Sequence, residues 1–401
     1  MNLEDSRNAN KLHRPSNRLR KIVRITRICS YICGADVFDP NYCVNIRTYF
    51  VLAVINFSIL LLSYTMYSGW VEEGDWAIVL QVLTIGGGTL LQGYCKLINS
   101  IRQKDKFRFL LTEVYSIFEE YELKSCDYAR HLKKGCHLLS YFMKLCAVIN
   151  VMMICGLILV AAAINVIFQK RDLIVYGDVI GIDPSTTSGF YVTFMVQACF
   201  LLVGGFGLYA GDMAFFTPIS QVPTLKEILR CKFKDINEAM EGDELQDSRH
   251  VSELLKDAVQ FHQKYLRFLN TTQDTYYWVI LTQISTYSVG IVCSMFCIFL
   301  GTWPGGYIYL LYCFVMMFVY CGVGTMVDIA NEGFIDACYN DILWYKLTAS
   351  DRKSLLNMLI LCQNTDGITI GSVLPLSMNT GLRVTKTIYS IAMMLINFFM
   401  D

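Results

Sequence analysis

The chain has 401 residues, 54% of them apolar and 17% charged, with a mean hydropathy of +0.41. Soluble globular chains carry about 25% charged residues, so the composition excludes an ordinary soluble enzyme and points to a polytopic membrane protein. Acidic and basic residues balance at 34 each, which gives no pull toward nucleic acid, and seven prolines argue against a disordered chain.

The segment 1–47 is polar and basic, so it is not a signal peptide. Within it Leu19, Ile22, Val23, Thr26, Cys29 and Ile32 recur at helical spacing, with Arg20, Arg24 and Arg27 on another face. That pattern predicts a basic amphipathic helix lying on the inner leaflet. Long uncharged runs follow at Thr48–Tyr67, Trp76–Cys95, Leu145–Phe168 and Gly189–Gly211. A helix needs about 20 such residues to cross a hydrocarbon core, so each run predicts one span. The intervening segments 96–137 and 219–270 carry amphipathic patterns at Phe107–Glu122 and Val251–Asn270, read as extensions of the spanning helices.

Thr275–Val327 is uncharged and too long for one crossing, and Trp303-Pro304-Gly305-Gly306 breaks it. The expectation is a helical hairpin, one span ending near Trp303 and the next starting near Tyr307. Residues 48–330 thus hold six spans. Residues 331–375 follow as an anchor region. Its Leu355, Leu356, Met358, Leu359 and Cys362 form an apolar stripe, either a core face or a subunit contact. The last uncharged run, Thr387–Met400, has only 14 residues. It spans only if 376–401 forms one helix, with Arg383 and Lys386 turned to protein or water. The predicted fold class is therefore an all-α membrane protein of seven transmembrane helices.

Basic residues set the orientation. Segments 1–47 and 96–137 hold nine Lys/Arg each and 219–270 holds eight, whereas the opposite side has only Lys170 and Arg171. The N-terminus is expected to be cytoplasmic and the C-terminus extracellular. This excludes the G-protein-coupled receptor arrangement, in which the N-terminus lies outside. No matched pair of broken helices marks two repeats, which argues against a secondary transporter.

No nucleophile–base set, phosphate loop or metal motif is visible, so no enzymatic activity, cofactor or metal is expected. The sixteen cysteines fall in spans or cytoplasmic segments rather than in outer loops, which argues against a disulfide framework. Cys293 and Cys297 share a helix face, but no His or carboxylate joins them, and packing is the better reading.

The C-terminal third carries a resemblance. Phe334-Ile-Asp-Ala-Cys-Tyr-Asn-Asp-Ile-Leu-Trp344-Tyr is followed by Asp351-Arg-Lys-Ser-Leu-Leu-Asn-Met-Leu-Ile-Leu-Cys-Gln363, a Gly, Pro375-Leu-Ser and Tyr389-Ser390 before an apolar tail. This set resembles the insect odorant receptor family, whose length and layout the whole chain shares. The gustatory receptors and the odorant co-receptor keep a Thr-Tyr, five apolar residues, then Gln-Phe in the last span. Here Ser390 to Phe398 has the same spacing with three replacements, and 219–270 is shorter than in the co-receptor, so the resemblance is to a ligand-tuned receptor.

The resemblance implies a subunit of an odorant-gated cation channel, assembled with the odorant receptor co-receptor as a heterotetramer in the plasma membrane of olfactory sensory neurons. The odorant site would lie in the outer halves of spans two to six: Gln81, Leu83, Thr84 and Gly87; Met153, Gly156, Val160 and Ala163; Tyr191, Phe194, Gln197 and Ala198; Tyr309 and Tyr312. That set holds no acid or base and several rings, which suits a small neutral volatile, planar aromatic or heteroaromatic. The last helix would line the pore, with Met394, Leu395, Asn397 and Phe398 as gate. Trp344, Leu355, Leu356 and Leu359 would belong to the subunit anchor. The alternative is a gustatory-type channel or transporter-like protein that works without a co-receptor.

Overall fold

The computed structural model describes residues 14–36, 38–39, 42–71, 74, 76–167, 169, 171, 173–175, 182, 186–241 and 247–400. The chain is almost wholly helical. Helix α1 (Pro15–Ile32) opens with Pro15 in its first turn, where a missing N–H costs nothing. Asn45 caps α2 (Ile46–Val71), its Oδ1 accepting from the N–H groups of Arg47 and Thr48 at 3.1 Å each.

The second apolar run is not one α-helix. It divides into α3 (Trp76–Val82), a π-turn at Leu83–Gly87 and α4 (Gly88–Arg102). Next come α5 (Lys104–Tyr121), α6 (Cys126–Ile167), α7 (Thr187–Ile219) and α8 (Val222–Met240). Thr186 caps α7 by accepting from Gly189 N at 3.1 Å. Then α9 (Asp247–Phe299) and α10 (Gly306–Asp336) form the hairpin at Trp303-Pro304-Gly305-Gly306. A second π-turn, Ala337–Asp341, leads toward α11 (Ala349–Gln363), which Thr348 caps by accepting from Asp351 N at 3.2 Å. Two short antiparallel strands, β1 (Thr369–Ile370) and β2 (Leu374–Pro375), precede α12 (Met378–Met400).

Among the described residues five helical stretches are long and apolar enough to cross a membrane by themselves: those starting at Ile46, Cys126, Thr187, Ser248 and Gly306. The second predicted span, divided at its π-turn, and α12, which carries Arg383 and Lys386, are not among the five. Helix α9 is the central post, packing on α4, α8, α10 and α12.

Helix α1 differs from its expected setting. Of its predicted lipid face, Leu19, Ile22, Val23 and Thr26 are buried against α6 and α7, whereas Cys29 is half-buried and Ile32 exposed. The apolar residues turned outward are Ile25, Ile28, Tyr31 and Ile32, beside the exposed Arg20, Lys21 and Arg24, so the helix spends one apolar face on the protein core and keeps a second outside. Close approach elsewhere depends on glycine: a Cβ at Gly324 would lie 1.7 Å from Leu376 O, where the chain entering α12 crosses α10.

Candidate functional site

In the half of the bundle nearest the Trp303 turn, aromatic rings from two helices and the turn that joins them converge. Tyr309 and Tyr312 of α10 are buried, with ring centroids 6.2 Å apart. Tyr287 of α9 meets Tyr312 edge-on at 6.1 Å, and Trp303 lies 6.2 Å from Tyr309. A π-turn disrupts the regular helical ladder and frees carbonyls to bond elsewhere. Here Thr84 O accepts from Tyr309 Oη at 2.9 Å. Two glycines make room for that ring. A Cβ at Gly88 would stand 3.2 Å from Tyr309 Oη, and one at Gly290 3.2 Å from its Cε1.

Tyr312 Oη is buried and makes no hydrogen bond among the described residues. An unpaired hydroxyl in an apolar interior costs about 1–3 kcal/mol, so this one calls for a partner such as a water or a ligand oxygen.

The other predicted lining residues divide by position. Gln81 and Met153 are buried, while Leu83, Gly87, Gly156, Val160, Phe194 and Ala198 are half-buried. Ile308 of α10 packs into the space that Gly156 leaves on α6. Gln197 is engaged with the connection between α6 and α7, donating to Val175 O at 2.8 Å and accepting from Val175 N at 3.3 Å. Ala163 and Tyr191 face outward from the chain, Tyr191 at 63% exposure. Trp303 was expected only as part of the hairpin turn, and Tyr287, Gly88 and Gly290 were not expected at the site. The available signal was Tyr287 and Gly290 at i, i+3 on one face of the fifth span.

Deeper along the bundle lies a polar ladder that the sequence reading also missed. Gln92, Lys96 and Asn99 lie on one face of α4 at i, i+4, i+7. Gln92 Nε2 donates to Thr286 Oγ1 at 2.5 Å, and Asn99 Nδ2 donates to Thr275 O at 2.8 Å. Gln283 bridges Gln92 Oε1 and the Tyr287 hydroxyl, which joins the ladder to the ring cluster. Between these rungs Lys96 Nζ meets Asp212 Oδ1 of α7 at 2.6 Å, and Tyr320 of α10 donates to the same oxygen.

The predicted gate residues lie on α12. Ile388 and Ala392 are its buried side, whereas Met394 and Asn397 are exposed and Leu395 is half-buried. The side chain of Phe398 lies outside the described residues. Among the predicted anchor residues Leu355 is buried and Leu359 half-buried, while Trp344 and Leu356 point outward. An open groove of about 420 Å³ runs between α8, α10 and the start of α12, lined by Pro223, Lys226, Thr325, Met326, Ile329 and Met378.

Comparison with known proteins agrees with this arrangement. A Drosophila melanogaster protein described as candidate odorant receptor 83c is 27% identical over 397 residues, covering 96% of this chain and 98% of its own. The structure of the insect olfactory receptor OR5 from Machilis hrabei in complex with eugenol matches 96% of this chain and 99% of its own, with TM-score 0.76 at 17% identity. The structure of that receptor without eugenol matches with TM-score 0.75 at 18% identity. The model of the 7tm odorant receptor family matches residues 79–389. The chain therefore belongs to the odorant receptor family and is a multi-pass membrane receptor of olfaction, not an enzyme.

Proposed function

We propose that this chain is the ligand-tuned subunit of a heteromeric, odorant-gated cation channel formed with the odorant receptor co-receptor. The observation that carries this reading is the cluster of Tyr287, Trp303, Tyr309 and Tyr312, with its unspent Tyr312 hydroxyl, in the outer half of a bundle of this family's fold. Ring faces and edges there suit a planar aromatic odorant, which stacks at centroid distances of about 4.5–7 Å. One hydrogen-bond donor favours a ligand bearing a carbonyl, ether or phenolic oxygen. The solved relative that carries eugenol, itself a ring with such oxygens, supports the same class.

In this reading the chain crosses the membrane seven times. The π-interrupted α3–α4 counts as one crossing and α12 as the last. The excess of Lys and Arg in 1–47, 96–137 and 219–270 supports a cytoplasmic N-terminus and an extracellular C-terminus. The exposed side of α12, with Met394 and Asn397, faces the pore, with the half-buried Leu395 at its margin, and apolar side chains close the pore by excluding water. Trp344 and Leu356 face neighbouring subunits at the anchor. An odorant opens the pore only to the extent that it prefers the open bundle.

Whole-cell recording tests this directly. An aromatic odorant panel should evoke cation current in cells expressing this chain with the co-receptor, and none in cells expressing this chain alone. Equal currents without the co-receptor would instead favour a channel of the gustatory type.

A further inference from the structure

At the end of the bundle opposite the Trp303 turn, three side chains from separate elements meet in the interior. His262 belongs to α9, Cys338 to the π-turn Ala337–Asp341, and Cys362 to the last turn of α11. Cys362 Sγ lies 3.1 Å from His262 Nε2 and 3.9 Å from Cys338 Sγ. All three are at most 3% exposed. The set does not form a metal-binding group. Its geometry matches a different chemistry, that of a thiol beside a base with a second thiol in reach.

We propose that Cys362 and Cys338 form a peroxide-reactive dithiol, with Cys362 as the attacking sulfur, His262 as its proton acceptor and Cys338 as the resolving thiol. The substrate is a small hydroperoxide, of which hydrogen peroxide is the simplest. His262 Nε2 takes the Cys362 proton, and the thiolate attacks one peroxide oxygen. The O–O bond breaks, an S–O bond forms, and the departing hydroxide takes the proton back from His262 and leaves as water. Cys338 sulfur then attacks the Cys362 sulfenic acid. The S–O bond breaks, the S–S bond forms, and the sulfenic hydroxyl leaves as a second water with the Cys338 proton. Two thiols are oxidised to one disulfide and one peroxide is reduced to two waters.

Local chemistry supports the division of roles. A thiolate is the nucleophile, and a neighbouring imidazole favours it. The hydrogen bond from Cys338, and after it His262, pull the Cys362 thiol below its ordinary range, while its partner Cys338 is pushed up. Other buried cysteines at this end have no such partner, and burial pushes Cys136 up to about 12 and Cys231 to about 11. A disulfide needs an S–S distance of about 2.05 Å, so the two sulfurs must close by roughly 2 Å. The π-turn carrying Cys338 is an irregular element that can yield by rotation. The bond would tie the end of α10 to the end of α11.

The test uses the full-length receptor in the membranes of expressing cells, treated with hydrogen peroxide, blocked, digested without reduction and mapped by mass spectrometry. A peptide linked through Cys338 and Cys362 should accumulate while the exposed Cys43 and Cys126 stay unpaired. In Cys338→Ser, a dione that traps sulfenic acids should label Cys362 roughly tenfold or more faster than Cys126, and His262→Gln in that background should remove most of the advantage. Absence of the linked peptide from the wild-type receptor, or Cys362 labelling no faster than Cys126, would overturn the proposal. The wild-type arm decides even if a variant does not fold, and neither arm depends on which odorant the receptor takes.

Discussion

Lys96 Nζ lies 2.6 Å from Asp212 Oδ1, and the two side chains are 5% and 0% exposed. They join α4 to α7 across 116 residues of sequence, and Tyr320 adds α10 to the same carboxylate. Gly211, beside Asp212, leaves the space that the Lys96 stem fills, since a Cβ there would stand 2.6 Å from Lys96 Cδ. Two charges in an apolar interior are tolerated because each meets the other, and removing one strands its partner.

Lys96→Met alone should therefore destabilise the receptor by roughly 3–5 kcal/mol, seen as a loss of surface expression and a lower unfolding midpoint in detergent. Lys96→Met combined with Asp212→Leu should recover most of both. If the double variant is as defective as the single one, the pair is not held together by charge.

Gln273 of α9 clamps the β1–β2 hairpin that leads into α12. It accepts from Thr369 N at 2.9 Å and donates to Thr369 Oγ1 at 2.8 Å. Each such bond contributes about 1 kcal/mol. Gln273→Leu should lower the unfolding midpoint, and adding Thr369→Val should lower it by less than Thr369→Val does in the wild-type background. Fully additive losses in this cycle would show that the two side chains act independently.

The outward side of α12 should be reachable from the pore. Cysteine placed singly at Met394, Leu395 and Asn397 should react with an external, charged thiol reagent faster when odorant is present. Cysteine at Ala392, on the buried side, should not react in either state. A reactive position 392 with silent positions 394, 395 and 397 would place the pore on the other face.

Topology has its own check. Epitope tags at the N-terminus and within 242–246 should bind antibody only after the cells are permeabilised, and a tag after Asp401 should bind on intact cells. The opposite pattern would reverse the orientation argued from Lys and Arg.

Much of this fold was legible in the sequence because apolar runs and helical spacing report what lipid and core require. The amphipathic helix appeared at Pro15–Ile32, the Phe107–Glu122 pattern became α5, and Trp303-Pro304-Gly305-Gly306 made the hairpin turn. Which face goes where was less legible. Leu19, Ile22 and Val23 satisfy a leaflet and a protein core equally well, and only the packing of α6 and α7 decides between them. Lys96 and Asp212 were read as the ends of apolar runs because a run is counted until a charge interrupts it. Their mutual neutralisation is a tertiary fact that no local window contains. The π-turn at Leu83–Gly87 was equally hidden, since Gly86-Gly87-Gly88 permits it without requiring it. Tyr309 and Tyr312 were legible as a pair, whereas Tyr287, Trp303 and the Thr84 carbonyl that completes their setting come from α9, the hairpin turn and the π-turn.

The most direct test is the concentration–response of odorant-evoked current for Tyr312→Phe and Tyr309→Ala, each co-expressed with the co-receptor. Tyr312→Phe keeps the ring and removes the unpaired hydroxyl. It should weaken odorants bearing an oxygen acceptor by roughly 0.5–1.5 kcal/mol, about tenfold or less, and leave their hydrocarbon analogues unchanged. Tyr309→Ala should raise the half-maximal concentration for all ligands of the receptor. Tyr312→Phe should keep wild-type surface expression, and both variants, compared at equal surface density, should keep wild-type responses to an agonist of the co-receptor. If instead odorant and co-receptor agonist lose potency together, the tyrosines serve packing and the odorant binds elsewhere.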